Sequence, residues 1–152
     1  SNGYAVPKFQ NVTSAGQPGS DPTYSDIDFP LFRLADAYLM YAEAVARGAS
    51  NTSGLNAVNL VNELRDRAGV SNISGSDLTP EFILEERGRE LFWEAPRRTD
   101  LIRFGQFTSG DKTWAWKGGV RNGTGVSSNL RLYPIPSSEL NANPNMTQNP
   151  GY

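Results

Sequence analysis

Between Glu85 and Arg103 the chain crowds Glu85, Glu86, Arg87, Arg89, Glu90, Glu94, Arg97, Arg98, Asp100 and Arg103. Two carboxylates held at a fixed separation can act as acid and base in glycoside cleavage. That chemistry needs environments that push their pKa values apart, one of them raised. Arginines three and four residues away favour the ionised carboxylate and lower both. The favoured reading is therefore a salt-bridge lattice, with Arg33 or Arg97 holding this helix against an earlier one. No catalysis is expected from it.

The second group is Asp111-Lys112-Thr113-Trp114-Ala115-Trp116-Lys117-Gly118-Gly119. In an extended segment alternate residues point the same way, so Trp114 and Trp116 would share a face. Flat aromatics stack on the apolar C–H faces of sugar rings, and Lys117, Arg121 and Asn122 are at hand for hydroxyls. Trp114, Trp116, Lys117 and Asn122 are the candidate glycan- or partner-binding residues. The competing reading makes the tryptophans staples that fill space between loop and helices. A third group, Asp21, Asp26 and Asp28, has oxygen ligands suited to calcium but no cation-loop spacing. Turn and cap bonding is the better reading there, with Asp28 capping the first helix.

Much chemistry is excluded outright. The 152 residues contain no cysteine and no histidine, which removes disulfides, thiol nucleophiles, histidine bases and nearly all zinc sites. No metal and no cofactor is expected. A net charge of −2 and a pI near 5.1 do not suit a nucleic-acid surface. No apolar run approaches the roughly 18 residues of a membrane span. No basic-then-apolar leader opens the sequence.

The elements that must position these groups are helical. In Phe29–Gly48, residues Leu31, Leu34, Ala35, Tyr38, Tyr41, Ala42 and Val45 recur at spacings of three and four. The predicted helix runs from about 30 to 47, with Pro30 in the first turn and Gly48 just past the end. A second, about 55–68, carries Ala57, Leu60, Val61, Leu64 and Ala68 and ends at Gly69. A short polar link predicts that the two pack antiparallel. A third begins at Thr79-Pro80-Glu81 and runs to about 95, with Leu84, Gly88, Leu91 and Ala95 on one face and Pro96 as its stop. A short fourth lies near 98–104, closed by Gly105. Residues 1–28 form an extended lead-in, with Tyr4, Val6 and Phe9 touching something apolar. The glycine-rich stretch from 105 and the proline- and asparagine-rich tail are loops, without room for a long helix.

FPLFRLADAYLMYAEA, LVNELRDRAGV, LTPEFILEERGRELFWE with RRTDLIRFG, and LYPIPSSELNANPNMTQNPGY follow one another in this order. Together they closely resemble the carboxyl-terminal region of the RagB/SusD family, from Tyr4-Ala5-Val6-Pro7-Lys8-Phe9 to Tyr152. The resemblance implies an all-α fold of tetratricopeptide-like antiparallel helix pairs under long irregular loops, with at most a small β-hairpin. It implies one domain over residues 1–152, with an extended lead-in at 1–28, a helical core at 29–104 and a loop-rich tail at 105–152. Members are lipid-anchored outer-membrane proteins of Bacteroidetes that capture nutrients, mostly glycans, at the cell surface. They sit like a lid on a SusC-like TonB-dependent transporter. A complete member is about three times longer, so this chain reads as its carboxyl-terminal part, without the anchor. The expected partners are a glycan or oligosaccharide and that transporter, with no nucleic acid. The alternative, which the bare periodicity supports, is a helical-repeat module that binds protein and no glycan.

Overall fold

The computed structural model of the chain describes Val6 and residues 8–52 and 54–152. Among the described residues five α-helices form: α1 (Leu34–Ala46), α2 (Ala57–Arg67), α3 (Pro80–Glu90), α4 (Arg97–Arg103) and α5 (Ser137–Ala142). Among the described residues the β-structure is one isolated bridge, Val12 to Pro18. The all-α expectation therefore holds. No helix among the described residues is long and apolar enough to cross a membrane. The chain groups into two compact units, one up to Glu94 and the other from Ala95 to Tyr152.

In the first unit α1 packs against both α2 and α3. The core holds Ala35, Leu39 and Ala42 from α1, Ala57, Val61 and Leu64 from α2, and Ile83 from α3. Alanines beside leucine and isoleucine let the helix axes approach, and Tyr38, Tyr41 and Phe82 close the edges. Local signals set most helix ends. The Asn56 side chain accepts from the Asn59 N–H at 3.1 Å, and Thr79 from the Phe82 N–H at 3.1 Å. Gly48 and Gly69 take φ of +106° and +68° just past α1 and α2. The following residue then bonds back into the helix, Ala49 N–H to the Ala44 carbonyl and Val70 N–H to that of Arg65, each at 3.0 Å.

Two boundaries differ from expectation. Helix α1 starts at Leu34, with Arg33 extended before it, so Pro30 opens no helix and Asp28 caps none. The cause is tertiary: Arg33 reaches the end of α3 and makes four bonds there, to Glu90 and Glu94. Leu31 is consequently 81 % exposed and Leu34 is exposed as well, whereas Leu39 is fully buried. The inward stripe is Ala35-Leu39-Ala42, rotated from the one the spacing predicts. Helix α3 stops at Glu90 and not near 95. Lys8 Nζ and Arg33 Nη2 bind the Glu90 carbonyl, and Lys8 also binds that of Phe92 at 2.8 Å. Trp93 and Ala95 then adopt φ of +64° and +69°, and Ala95 is exposed instead of sharing the buried face.

The lead-in is tied down in part: the Phe9 and Phe29 rings lie 5.5 Å apart. The expected apolar contact of Tyr4 lies outside the described residues.

In the second unit, Gly105 at φ +72° ends α4, with the Gln106 N–H on the Leu101 carbonyl at 2.8 Å. The tail folds back on residues 132–135. The Gln148 side-chain amide mimics a strand, its Nε2 donating to the Ile135 carbonyl at 2.9 Å and its Oε1 accepting from the Ile135 N–H at 2.8 Å. Asn149 bonds the Tyr133 carbonyl at 2.7 Å, and the Tyr152 hydroxyl bonds that of Leu132 at 2.9 Å.

Candidate functional site

The charged run on α3 is a lattice. Glu86 accepts from Arg65 Nη1 at 3.0 Å and from Arg89 Nε at 3.0 Å. Glu90 is paired with Arg33 and Arg67, and Glu94 with Arg33 and Lys8. Arg87, itself buried, donates to Asp36 at 2.7 Å and so ties α3 to α1. Burial works to raise the Glu94 pKa, but hydrogen bonds and charge from Arg33 and Lys8 prevail and hold it below the ordinary value. Arg33 is raised in turn, chiefly by the hydrogen bonds it donates to Glu94. A general acid needs the opposite shift. A cleft of about 420 Å³ lies between α2 and α3 over Phe82. Its arginines, Arg65 and Arg89, rest on that ring and on Glu86, so the charges lining it already serve one another.

The aspartates before α1 bond locally. Asp21 accepts from the backbone N–H of Thr23 and Tyr24, and Asp26 from the N–H and hydroxyl of Ser20. Those bonds lower both pKa values. No group of three or more potential metal-holding side chains occurs among the described residues.

The tryptophan loop belongs to the second unit. Trp116 N–H bonds the Val120 carbonyl at 3.1 Å, and Gly119 N–H bonds that of Trp116 at 3.0 Å. Farther along, Thr124 N–H returns to Lys117 and Val126 N–H to Thr108, each at 3.1 Å. Gly123 is required by crowding, because a Cβ there would collide with the Trp114 carbonyl oxygen. Trp114–Trp116 is a turn, not the extended run expected, and Trp116 has φ +70°. Strand alternation therefore does not align the two rings. Both stand out regardless, Trp114 at 44 % exposure and Trp116 at 67 %. A left-handed backbone is costly for a bulky residue and marks a place worth a functional hypothesis. Asn122 is exposed next to Gly123.

Lys117 is the exception among the four candidates. It is only 4 % exposed. Its Nζ donates to the carbonyls of Ser109 at 2.7 Å, Gln106 at 3.4 Å and Lys112, and lies 4.8 Å from the Trp114 ring centroid. It is placed to organise the loop and not to meet a ligand's hydroxyls. Sequence reasoning passed over Tyr133, 70 % exposed, whose ring rests on the Arg98 guanidinium at 4.1 Å. Arg98 is itself held by Phe107 and the Leu130 carbonyl. No local pattern announces a stack assembled from residues this far apart in the chain.

The sequence pattern of the SusD family matches residues 1–152. The starch-binding protein SusD of Bacteroides thetaiotaomicron is 46 % identical over 151 residues, which are 99 % of this chain and 26 % of that protein. Surface glycan-binding protein A of the same organism, in complex with laminarihexaose, superposes with a TM-score of 0.67 at 31 % identity, covering 89 % of this chain and 27 % of that one. A SusD superfamily protein from Bacteroides vulgatus gives 0.65 at 28 % identity over 90 % of this chain and 31 % of its own. The chain thus spans about a quarter of the length of the starch-binding relative.

Proposed function

Because the chain belongs to the SusD family, we propose that it is the carboxyl-terminal scaffold part of a cell-surface glycan-binding protein that works without catalytic turnover. The proposal extends to lipid anchoring at the outer membrane and delivery of the captured glycan to a SusC-like TonB-dependent transporter. The observation that carries the binding role is the pair of exposed tryptophans on a hydrogen-bonded loop, in a chain whose relatives carry the names starch-binding and glycan-binding. Ordered aromatic rings lose little entropy when a sugar ring stacks on them. Trp114, Trp116 and Asn122 supply contacts, and Lys117 supports Trp114 from within the loop.

Affinity electrophoresis through gels containing starch or laminarin tests the reading. Retardation of the protein, reduced by Trp114→Ala and by Trp116→Ala with helical circular dichroism intact, is the expected result. Unchanged retardation in both variants, with a lowered melting temperature, would make the tryptophans staples and move glycan capture elsewhere.

A second reading, a protein-binding helical module, is favoured by one observation. Phe29, Leu31 and Phe32 just ahead of α1, and Leu34 at its first position, are all exposed. Patches of this kind mark contacts with other protein surfaces.

A further inference from the structure

We propose that Lys117 is a positioning residue whose ammonium sets the orientation of the Trp114 ring. The inference rests on the reading that Trp114 touches ligand, and it changes the role of Lys117 from contact to support. An ammonium has three donors and no acceptor. At Lys117 those donors have three carbonyl partners, on Gln106, Ser109 and Lys112, from a stretch of loop that has no helix or strand to fix it. The same nitrogen lies 4.8 Å from the Trp114 centroid, within the range where a cation is attracted to an indole face. The Lys117 N–H also bonds the Trp114 carbonyl at 3.1 Å, so backbone and side chain of one residue both grip Trp114.

Three features make this more than space filling. The nitrogen is buried, where an ion–carbonyl bond gains strength and an unpaired carbonyl costs most. The carbonyls come from both sides of Gly110, which neither a shorter side chain nor a planar guanidinium would gather equally. And Trp114 remains 44 % exposed, so the cation restrains the ring without covering it. A held, half-open indole is ready to stack before a ligand arrives.

The test uses the chain with Trp93→Phe and Trp116→Phe, leaving Trp114 as its one tryptophan. In that background, Lys117→Met keeps the stem and removes the charge. The expected result is faster depolarisation of Trp114 fluorescence, weaker quenching by iodide and stronger quenching by caesium, with far-ultraviolet circular dichroism unchanged. Lys117→Arg restores the charge, and with it the preference for iodide over caesium, but only part of the rigidity. In the otherwise native chain, Lys117→Met should weaken binding of laminarihexaose or soluble starch roughly two- to tenfold, the cost of ordering one freed side chain when the ligand binds. Unchanged Trp114 anisotropy in Lys117→Met would overturn the assignment. So would loss of helical circular dichroism in both variants, which would make Lys117 a determinant of the whole unit. If Lys117→Met frees the ring while Trp114→Ala leaves glycan binding intact, the positioning role stands and the ligand contact at Trp114 falls.

Discussion

Arg33 and Glu94, 61 positions apart, form a two-pronged ion pair, Nε to Oε2 at 2.7 Å and Nη2 to Oε1 at 2.8 Å. The fork fixes where α1 begins and where the chain leaves α3. A planar guanidinium matches a carboxylate in this way and an ammonium does not. Arg33→Lys should therefore destabilise the first unit by about 1–2 kcal/mol, and Arg33→Met by roughly 2–4 kcal/mol, since it leaves two mostly buried carboxylates short of a partner. Urea denaturation measures both. Equal midpoints for wild type and Arg33→Met would show that the pair contributes nothing.

Stability should fall on acidification. The Glu94 pKa lies below its ordinary 4.5 in the folded chain, so the unfolded state takes up a proton first as pH drops. The contribution is complete above the unfolded value and is lost as pH falls through the lower, folded one. Asp21, Asp26 and Asp77 are lowered too and act with the same sign. The raised pKa of Arg33 adds stability that disappears only in strong alkali. Melting temperature should thus be level from about pH 7 to 5 and decline below about pH 4. Glu94→Gln should lower the plateau and flatten the acid limb. An acid limb as steep as wild type would remove Glu94 from the account.

Leu31 and Leu39 offer a contrast within one segment. Leu39 is fully buried among Ala35, Ala42 and Ile83, whereas Leu31 is 81 % exposed. Leu39→Ala should cost about 2–5 kcal/mol by cavity formation, and Leu31→Ala less than about 0.5 kcal/mol. Overpacking with Ala42→Trp should cost about 1–3 kcal/mol or more, because Ala42 has no exposed surface. Chemical denaturation of the three variants checks the direction in which α1 faces.

Gly123 combines φ +77° with a Cβ position that would collide with the Trp114 carbonyl oxygen. Gly123→Ala should open the tryptophan loop while leaving the helices formed. Limited proteolysis should then cut between about 110 and 125 at least several-fold faster than in wild type, with circular dichroism unchanged. Cleavage at the wild-type rate would show that the loop absorbs the methyl group without loss.

The cap at Thr79 and the glycines at 48, 69 and 105 were legible in the chain because each depends on neighbours within about four residues. The helical class and the surface course of the tryptophan loop were legible for the same reason, since periodicity and glycine content are local quantities. Gln148 gave no such signal, because its strand-like pairing with Ile135 exists only once the tail has returned. Tertiary structure alone decided the start of α1, the early end of α3 and the burial of Lys117. Arg33 and Lys8 reach Glu90 and Glu94 across 57 to 86 positions, and helix periodicity carries no information about such partners. Lys117 reads as a solvated cation until the loop closes and turns three carbonyls toward it. A buried ammonium goes where acceptors converge, and that convergence is a property of the folded chain.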